Sequence, residues 1–553
     1  MIERILNSRA KTITFAAFLL GLSTFISGLL GILKLRLLAS QFELHDLDSY
    51  FVAFRFPDLI SATLITGGII VSFLPLFSQY FQKRKEDAWE LTNNIISVAI
   101  TIFSFLCAIV WLFAPFFVDI IVPGFTGPQK ELAVSLTRIM FISPLIFSIS
   151  AVFSGVLQYF DRFLIYALAP IFYNSGIIFG IVVLSRFFET PIYGVAYGVV
   201  LGAFLHLLIQ IPPAIKCGYK FKFIFNLKDP GIRRMGRLMI PRMVGQASSQ
   251  ISLIAITFIA SFLAVGSVAI FNFANNLYLF PVAIIGVSFA VAAFPSFSKH
   301  LANGEKRSFF NNFSAAFRRI IFIMLPVSLM TLILRAQIVR LALGGGDFDW
   351  AETRLTAAAL GVFSLAILFS SFIPLIVRVF FSLQDTRTPA IASVASVVLN
   401  IISAFVFTFL FREGGFLHPF IYTIFKLEGI PDIQVVGLAF AVSLATTFQF
   451  FLLLYFLKKR MPDLPFMGIW NSFKKTLFAS LVMIVASYFT LKLAVVFVEL
   501  TTFWAVLFQA TFSFSMGVIV YLTVLHSLKS RELKGIILSV KKQLKIKNDK
   551  RKY

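Results

Sequence analysis

Five basic side chains lie inside long apolar stretches of this sequence. Lys34 and Arg36 fall in the first apolar run, Arg55 in the second, Arg242 in the seventh and Arg378 in the tenth. A cation in hydrocarbon is costly, so it marks a functional site or a side chain that snorkels to the interface. Lys34 and Arg36 are two residues apart, so on a helix they point roughly 200° apart and cannot face one cavity together. Arg378, in Ile373-Pro-Leu-Ile-Val-Arg378-Val-Phe-Phe, has the most apolar setting, where snorkelling is hardest. Snorkelling is the competing reading for Lys34, Arg36 and Arg55. Carboxylates are nearly absent from the same runs, with Asp58 the main candidate partner. Interior cations short of acids imply a hydrated cavity that receives an anion, and phosphate is the anion Arg and Lys bind best.

Four prolines stand near these cations or at the ends of matching runs: Pro57, Pro75, Pro241 and Pro295. Each removes a backbone donor and breaks or bends its helix, which makes them candidates for gating. Other chemistries find little support. There is no Walker loop, no His-Glu-x-x-His and no Cys/His cluster of metal-ligand spacing. Gly344-Gly-Gly346 lacks the Lys-Ser/Thr that would follow in a phosphate cradle. The five histidines are scattered, and His206 reads as a satisfied interior residue. The two cysteines, Cys107 and Cys217, indicate no disulfide or metal framework. No cofactor is expected, and transport is the function class left.

The elements that position these residues are membrane helices. Of 553 residues 59% are hydrophobic and 13% charged, and the mean hydropathy is +0.90. That is the composition of a multi-pass membrane protein. Hydropathy gives about fourteen apolar runs long enough to span a bilayer. The net charge of +24 sits in short loops and a tail, so anionic lipid headgroups, not nucleic acid, are the expected partner. Basic loops such as Lys83-Arg84-Lys85 and Lys458-Lys459-Arg460 alternate with acidic or neutral ones such as Glu43/Asp46/Asp48. The positive-inside rule then places both termini in the cytoplasm.

The runs also repeat. Phe73-Leu-Pro75-Leu-Phe77-Ser78 matches Phe294-Pro295-Ser-Phe297-Ser298 at an offset of 220, and Leu157-Gln158 matches Leu383-Gln384 at 226. Asn174 and Asn400 follow at the latter spacing. Together these indicate two parallel lobes, an N-lobe over about 1–228 and a C-lobe over about 229–460, with substrate between them. Two further helices over about 461–526 have no repeat partner and either pack on one lobe or line a lipid-accessible groove. The basic tail, about 527–553, has the apolar spacing of an amphipathic surface helix at Leu533, Ile536, Ile537, Val540, Leu544 and Ile546.

In this order the motifs resemble the MurJ (MviN) family of lipid II flippases, within the multidrug/oligosaccharidyl-lipid/polysaccharide exporter superfamily. The resemblance rests on Asp48-Ser-Tyr-Phe-Val-Ala-Phe-Arg55-Phe-Pro57-Asp58, Pro123-Gly-Phe125, Asp161-Arg162-Phe163, and Gly266-Ser-Val268. Phe280-Pro281, Pro295 to Lys299, and Gln384-Asp385 with Thr388-Pro389 extend it over nearly the whole chain. It implies fourteen helices, two lobes around a cationic central cavity, and movement of lipid-linked peptidoglycan precursor between leaflets by alternating access. The cavity departs from the family pattern. Ser27-Gly28 stands where the family has Ser-Arg, Lys34-Leu35 replaces Arg-Asp, Thr66 replaces a glutamate, and Asn275-Asn276 replaces Asp-Arg. Of a sodium site carried by some members, only Asn400 is a possible survivor.

The expectation is an all-α polytopic flippase of the bacterial cytoplasmic membrane, not an enzyme. Lys34, Arg36, Arg55, Arg242 and Arg378 bind the diphosphate of lipid II, an undecaprenyl-diphosphate-linked saccharide. The departures leave open another polyprenyl-diphosphate-linked saccharide, or a non-transporting scaffold derived from a flippase.

Overall fold

The computed structural model describes residues 13–346, 348–464, 466–499, 502–535 and 538. Among them every regular element is helical, and the one extended pairing is an isolated bridge between Gly345 and Phe348. The chain forms two compact units: Met1–Asn272 with Ala342–Asp349, and Phe273–Leu341 with Trp350–Tyr553.

The first unit opens with α1 (Ile13–Gln41), α2 (Leu44–Ala53) and α3 (Arg55–Ile60), then a π-helical segment, Ser61–Ile70, and α4 (Val71–Lys83). It continues through α5 (Lys85–Ile121), α6 (Gly127–Met140), α7 (Ile142–Tyr159) and α8 (Phe163–Val182). Then come α9 (Ile192–Leu208), α10 (Ile211–Lys216) and α11 (Pro230–Ala260). A proline ring collides with the carbonyl four residues back and has no N–H to give. The α2–α3 break accordingly falls at Phe54, three residues before Pro57, and the α6–α7 break at Phe141, three before Pro144. Phe73, Phe77, Ile95, Ile96, Val152 and Val156 bury the core between α4, α5 and α7. Between α8 and α9 glycines face each other, and a Cβ on Gly198 would stand 2.6 Å from the Gly180 Cα. Small residues let these backbones touch where lipid offers no hydrophobic drive.

α12 (Ser267–Pro281) begins in the first unit and enters the second at Phe273, running into another π-helical segment, Val282–Val287, and α13 (Ser288–Ala302). There follow α14 (Lys306–Ala342), α15 (Trp350–Ser382), α16 (Arg387–Leu410) and the short α17 (His418–Phe425). The unit ends with α18 (Val435–Arg460), α19 (Phe466–Phe497) and α20 (Phe503–Ser527). The last two pack on α14 through Met330, Leu334, Met483 and Leu525. The Tyr521 hydroxyl donates to the Phe322 carbonyl at 2.6 Å. Of the apolar positions expected in the tail, Ile536, Ile537, Val540, Leu544 and Ile546 lie outside the described residues.

Thirteen helical segments among the described residues are long and apolar enough to cross a membrane. The remaining run of the sequence is α11, 31 residues long. Arg233, Arg234, Arg237 and Arg242 charge its first half, so only Gln246–Ala260 is apolar.

The internal repeat is visible in the backbone. α5 and α14 are both 37 residues long and both begin with lysine. Each unit carries one π-helical segment ahead of a proline-bearing helix, with Pro75 in α4 and Pro295 in α13. Such widened turns are rare and cluster at functional sites. α7 and α15 end alike: Asp161 and Gln384, each two residues past the helix, take φ near +57° and +58°. The following amides, of Arg162 and Asp385, bond back to Leu157 and Phe380 at 2.8 and 2.9 Å. These ends set Asp161 opposite Gln384, three residues away from the sequence match of Gln158 with Gln384. A left-handed residue closing a helix fixes the register more firmly than a dipeptide match does.

Candidate functional site

Arg55 is the first residue of α3, set at the break that Pro57 imposes, and is only 4% exposed. Its Nε donates to Thr257 Oγ1 at 2.7 Å and its Nη2 to Asn272 Oδ1 at 2.9 Å. Both acceptors are held by their own helices: Thr257 Oγ1 donates to the Leu253 carbonyl and Asn272 Nδ2 to that of Val268. Arg55 therefore ties α3 to α11 and the start of α12 through neutral groups. Asp58 is within electrostatic reach of both Arg55 and Lys34. Two cations around one carboxylate leave the cluster net positive. Beside it the Tyr50 hydroxyl is buried with no hydrogen-bond partner among the described residues.

The preceding turn is anchored separately. Asp48, 1% exposed, accepts the Gly266 N–H on Oδ2 and the Ala269 N–H on Oδ1, both at 2.7 Å. This caps the N-terminus of α12, where a carboxylate is favoured by the exposed N–H groups and the helix dipole. Gly266 meets the carboxylate at φ +90°, a conformation glycine adopts without strain.

A chamber of about 470 Å³ lies within the first unit, between α1, the π-helical segment, α7, α8 and α9. Ser23, Ser27, Ser61, Thr66, Tyr166 and His206 give it a hydroxyl-rich, uncharged wall. Ser150 Oγ bonds His206 Nδ1 at 2.7 Å, and Gln210 Nε2 bonds Ser150 Oγ at 2.7 Å. Ser154 completes the chain by donating to Gln210 Oε1 at 3.0 Å. His206 is thus held through Nδ1 in a neutral network. Thr66, which departs from the family pattern, and Ser27, which precedes the departing Gly28, line this chamber. Such a wall suits hydroxylated groups and water, not a diphosphate.

The other sequence candidates are spread. Arg36, on α1, lies beside the glycine loop, its Nη2 3.9 Å from where a Cβ on Gly345 would stand. Arg242 and Pro241 lie on α11, with side chains outside the described residues. Arg378 belongs to the second unit, on α15, and its Nη1 is buried with no hydrogen-bond partner among the described residues. Asn400 is 3% exposed on α16. The structure therefore brings together Lys34, Arg55 and Asp58. Sequence reading had missed Thr257, Asn272 and Tyr50, and the signal available was a polar residue inside an apolar run. It had also missed the π-helical segments, which Gly67-Gly68 could have suggested.

An all-helical, many-spanning chain with buried cations and polar intramembrane space has the architecture of a membrane transporter. The solved structure "Lipid II flippase MurJ, inward closed conformation" shares the fold with a TM-score of 0.73 at 22% identity, covering 93% of this chain and 100% of that one. An inward-facing multidrug resistance MATE family transporter of the MOP superfamily follows at 0.64 and 14% identity, covering 84% of this chain and 98% of that one. The chain belongs to the lipid II flippase MurJ family, whose model matches residues 42–513. A probable lipid II flippase MurJ of Buchnera aphidicola subsp. Schizaphis graminum is 27% identical over 93% of this chain and 96% of its own length. The lipid II flippase MurJ of Burkholderia cenocepacia is 26% identical over 71% of this chain and 78% of its own.

Proposed function

We propose that this protein moves lipid II from the inner to the outer leaflet of the bacterial cytoplasmic membrane by alternating access. Lys34 and Arg55 of an N-lobe over 1–228, and Arg242 and Arg378 of a C-lobe over 229–460, clasp the diphosphate, with Arg36 a weaker fifth. Helices over 461–526 form the lipid groove, both termini are cytoplasmic, and the basic loops and tail hold anionic lipid. The observation that carries the reading is Arg378: a guanidinium with a buried Nη1 that no group among the described residues satisfies is an expensive arrangement without an anion to receive.

The experiment is rescue of cells depleted of their own lipid II flippase. The wild type restores growth, whereas Lys34→Ala and Arg378→Ala, present at equal level in the membrane, do not. Equal rescue by the variants removes these residues from the mechanism. The uncharged chamber behind Ser27 and Thr66 favours one second reading, a flippase for a different polyprenyl-diphosphate-linked saccharide. In that case neither wild type nor variants rescue.

A further inference from the structure

The two repeats end differently on their basic side. In the first unit, the helix ends there are closed by mutually packed aromatic rings. Phe81 lies 5.1 Å from Tyr159, 5.3 Å from Phe160 and 6.1 Å from Trp89, measured between ring centroids, and Trp89 stacks on Phe160 at 6.1 Å. Lys85, the first residue of α5, places its Nζ over the Phe81 ring at 5.9 Å. The rings pack on one another and the lysine already has a ring as partner.

The matching positions of the second unit follow from the repeat. The Pro75–Pro295 register sets Leu301 where Phe81 stands. The equal-length helices α5 and α14 set Phe310 against Trp89, and Lys306 against Lys85. The shared left-handed closures at Asp161 and Gln384 set Ser382 and Leu383 against Tyr159 and Phe160. Every ring is thus replaced by a smaller side chain. The result is a cavity of about 690 Å³ lined by Leu301, Lys306, Phe310, Ser382, Gln384 and Arg460, among others.

Its chemistry is amphiphilic and basic. Phe310, Phe381 and Met461 supply apolar wall, while Ser298 and Ser382, whose hydroxyls lie 3.1 Å apart, supply polar oxygens; Ser382 donates to the Arg378 carbonyl at 2.9 Å. Lys306 and Arg460 are exposed at the rim. Leu301 gives Lys306 no ring to cover. Asp463 is the acid in the lining, Asp385 is the one within electrostatic reach of Arg460, and Glu305 is bonded to His300 at 2.6 Å. Lys299, Arg307, Arg387, Lys458 and Lys459 are near these three acids in sequence, so the segments that form the rim carry net positive charge. α14 also begins at Lys306, so the positive end of a long helix faces the rim.

We propose that this cavity is a binding site for a phosphate ester, gripped by Lys306 and Arg460 with Ser298 and Ser382 beneath. The ester is the headgroup of an anionic phospholipid or a soluble phosphorylated molecule. The site depends on the proposed flippase orientation only for its assignment to the cytoplasmic face.

The test is native mass spectrometry of the purified full-length protein with phosphatidylglycerol or phosphatidylcholine, with and without soluble glycerol phosphate. The wild type retains phosphatidylglycerol over phosphatidylcholine by about tenfold, the scale of a charge-assisted contact. The double variant Lys306→Gln/Arg460→Gln loses that preference. So does Leu301→Phe, which keeps both charges and refills the cavity as the first unit does. Displacement by glycerol phosphate identifies a soluble ligand, and resistance to it identifies a lipid. A far-ultraviolet circular dichroism spectrum and melting temperature equal to wild type establish that each variant is folded. Retention unchanged in both variants, or a wild type that neither prefers phosphatidylglycerol nor binds glycerol phosphate, overturns the proposal. Loss of rescue in depleted cells with this preference intact would instead count against the flippase reading.

Discussion

Arg55 donates its Nε to Thr257 Oγ1 at 2.7 Å across 202 positions of sequence. The bond fastens the broken second apolar run to α11 and leaves the guanidinium buried among neutral acceptors. Removing the acceptor is therefore more disruptive than its size suggests, because a buried charged donor left unsatisfied costs about 1–3 kcal/mol. Thr257→Val lowers the melting temperature of the purified protein, whereas Thr257→Ser, which keeps the hydroxyl, restores most of it. Equal melting of the two variants would show that the bond contributes nothing.

Asp48 uses both carboxylate oxygens to hold amides of the α12 N-terminus. Asp48→Asn keeps the shape but offers one acceptor oxygen and no charge. A loss of about 1–3 kcal/mol is expected from the orphaned amide and the lost helix-end charge. Chemical denaturation in detergent measures it, with Gly304→Ala as a comparison for backbone strain alone, since Gly304 has φ +72° and open space around it.

Backbone contact between α8 and α9 leaves no volume for a side chain at Gly198. Gly198→Leu should separate the two helices and prevent recovery of monodisperse protein by size-exclusion chromatography. Gly236→Leu, at a helical position with nothing within 4 Å, should elute as wild type. Matching behaviour of the two would contradict the packing described.

Asp385 lies between membrane-spanning helices, and its carboxyl is held below the usual aspartate value near 3.8. Burial pushes it up, but hydrogen bonds from the Thr388 N–H and hydroxyl and the Arg387 N–H outweigh burial. A depressed folded value means a stabilising contribution that is complete above the unfolded value and fades as pH falls through the folded one. The acid limb of a stability profile below about pH 4 should therefore flatten in Thr388→Val, which is less stable than wild type near neutrality and converges on it at low pH. A profile identical to wild type across that limb would refute the assignment.

Much of the architecture is legible in the residues themselves. Run length and charge placement mark the spans, and Pro57 forecasts a break that falls at Phe54. Lys34, Arg55 and Asp58 stand out as charges in apolar surroundings, and the fold gathers them. Arg55's partners, in contrast, come from 202 and 217 positions away. Helical periodicity gives the face of a residue and says nothing about which distant helix meets it. The register of the repeat at α7 and α15 was also misread from a dipeptide, because helix closure depends on a backbone angle that Asp161 and Gln384 adopt without glycine's signature. Arg242 was legible as a cation in an apolar run next to Pro241.

The central claim is that buried cations of the two lobes grip a diphosphate, and equilibrium binding of purified lipid II to Lys34→Gln, Arg55→Gln and Arg378→Gln tests it most directly. The account predicts that each folded variant binds about tenfold or more weakly than wild type, as expected for a charge-assisted contact to phosphate, with Arg378→Gln among them. Unchanged lipid II affinity in all three would contradict it.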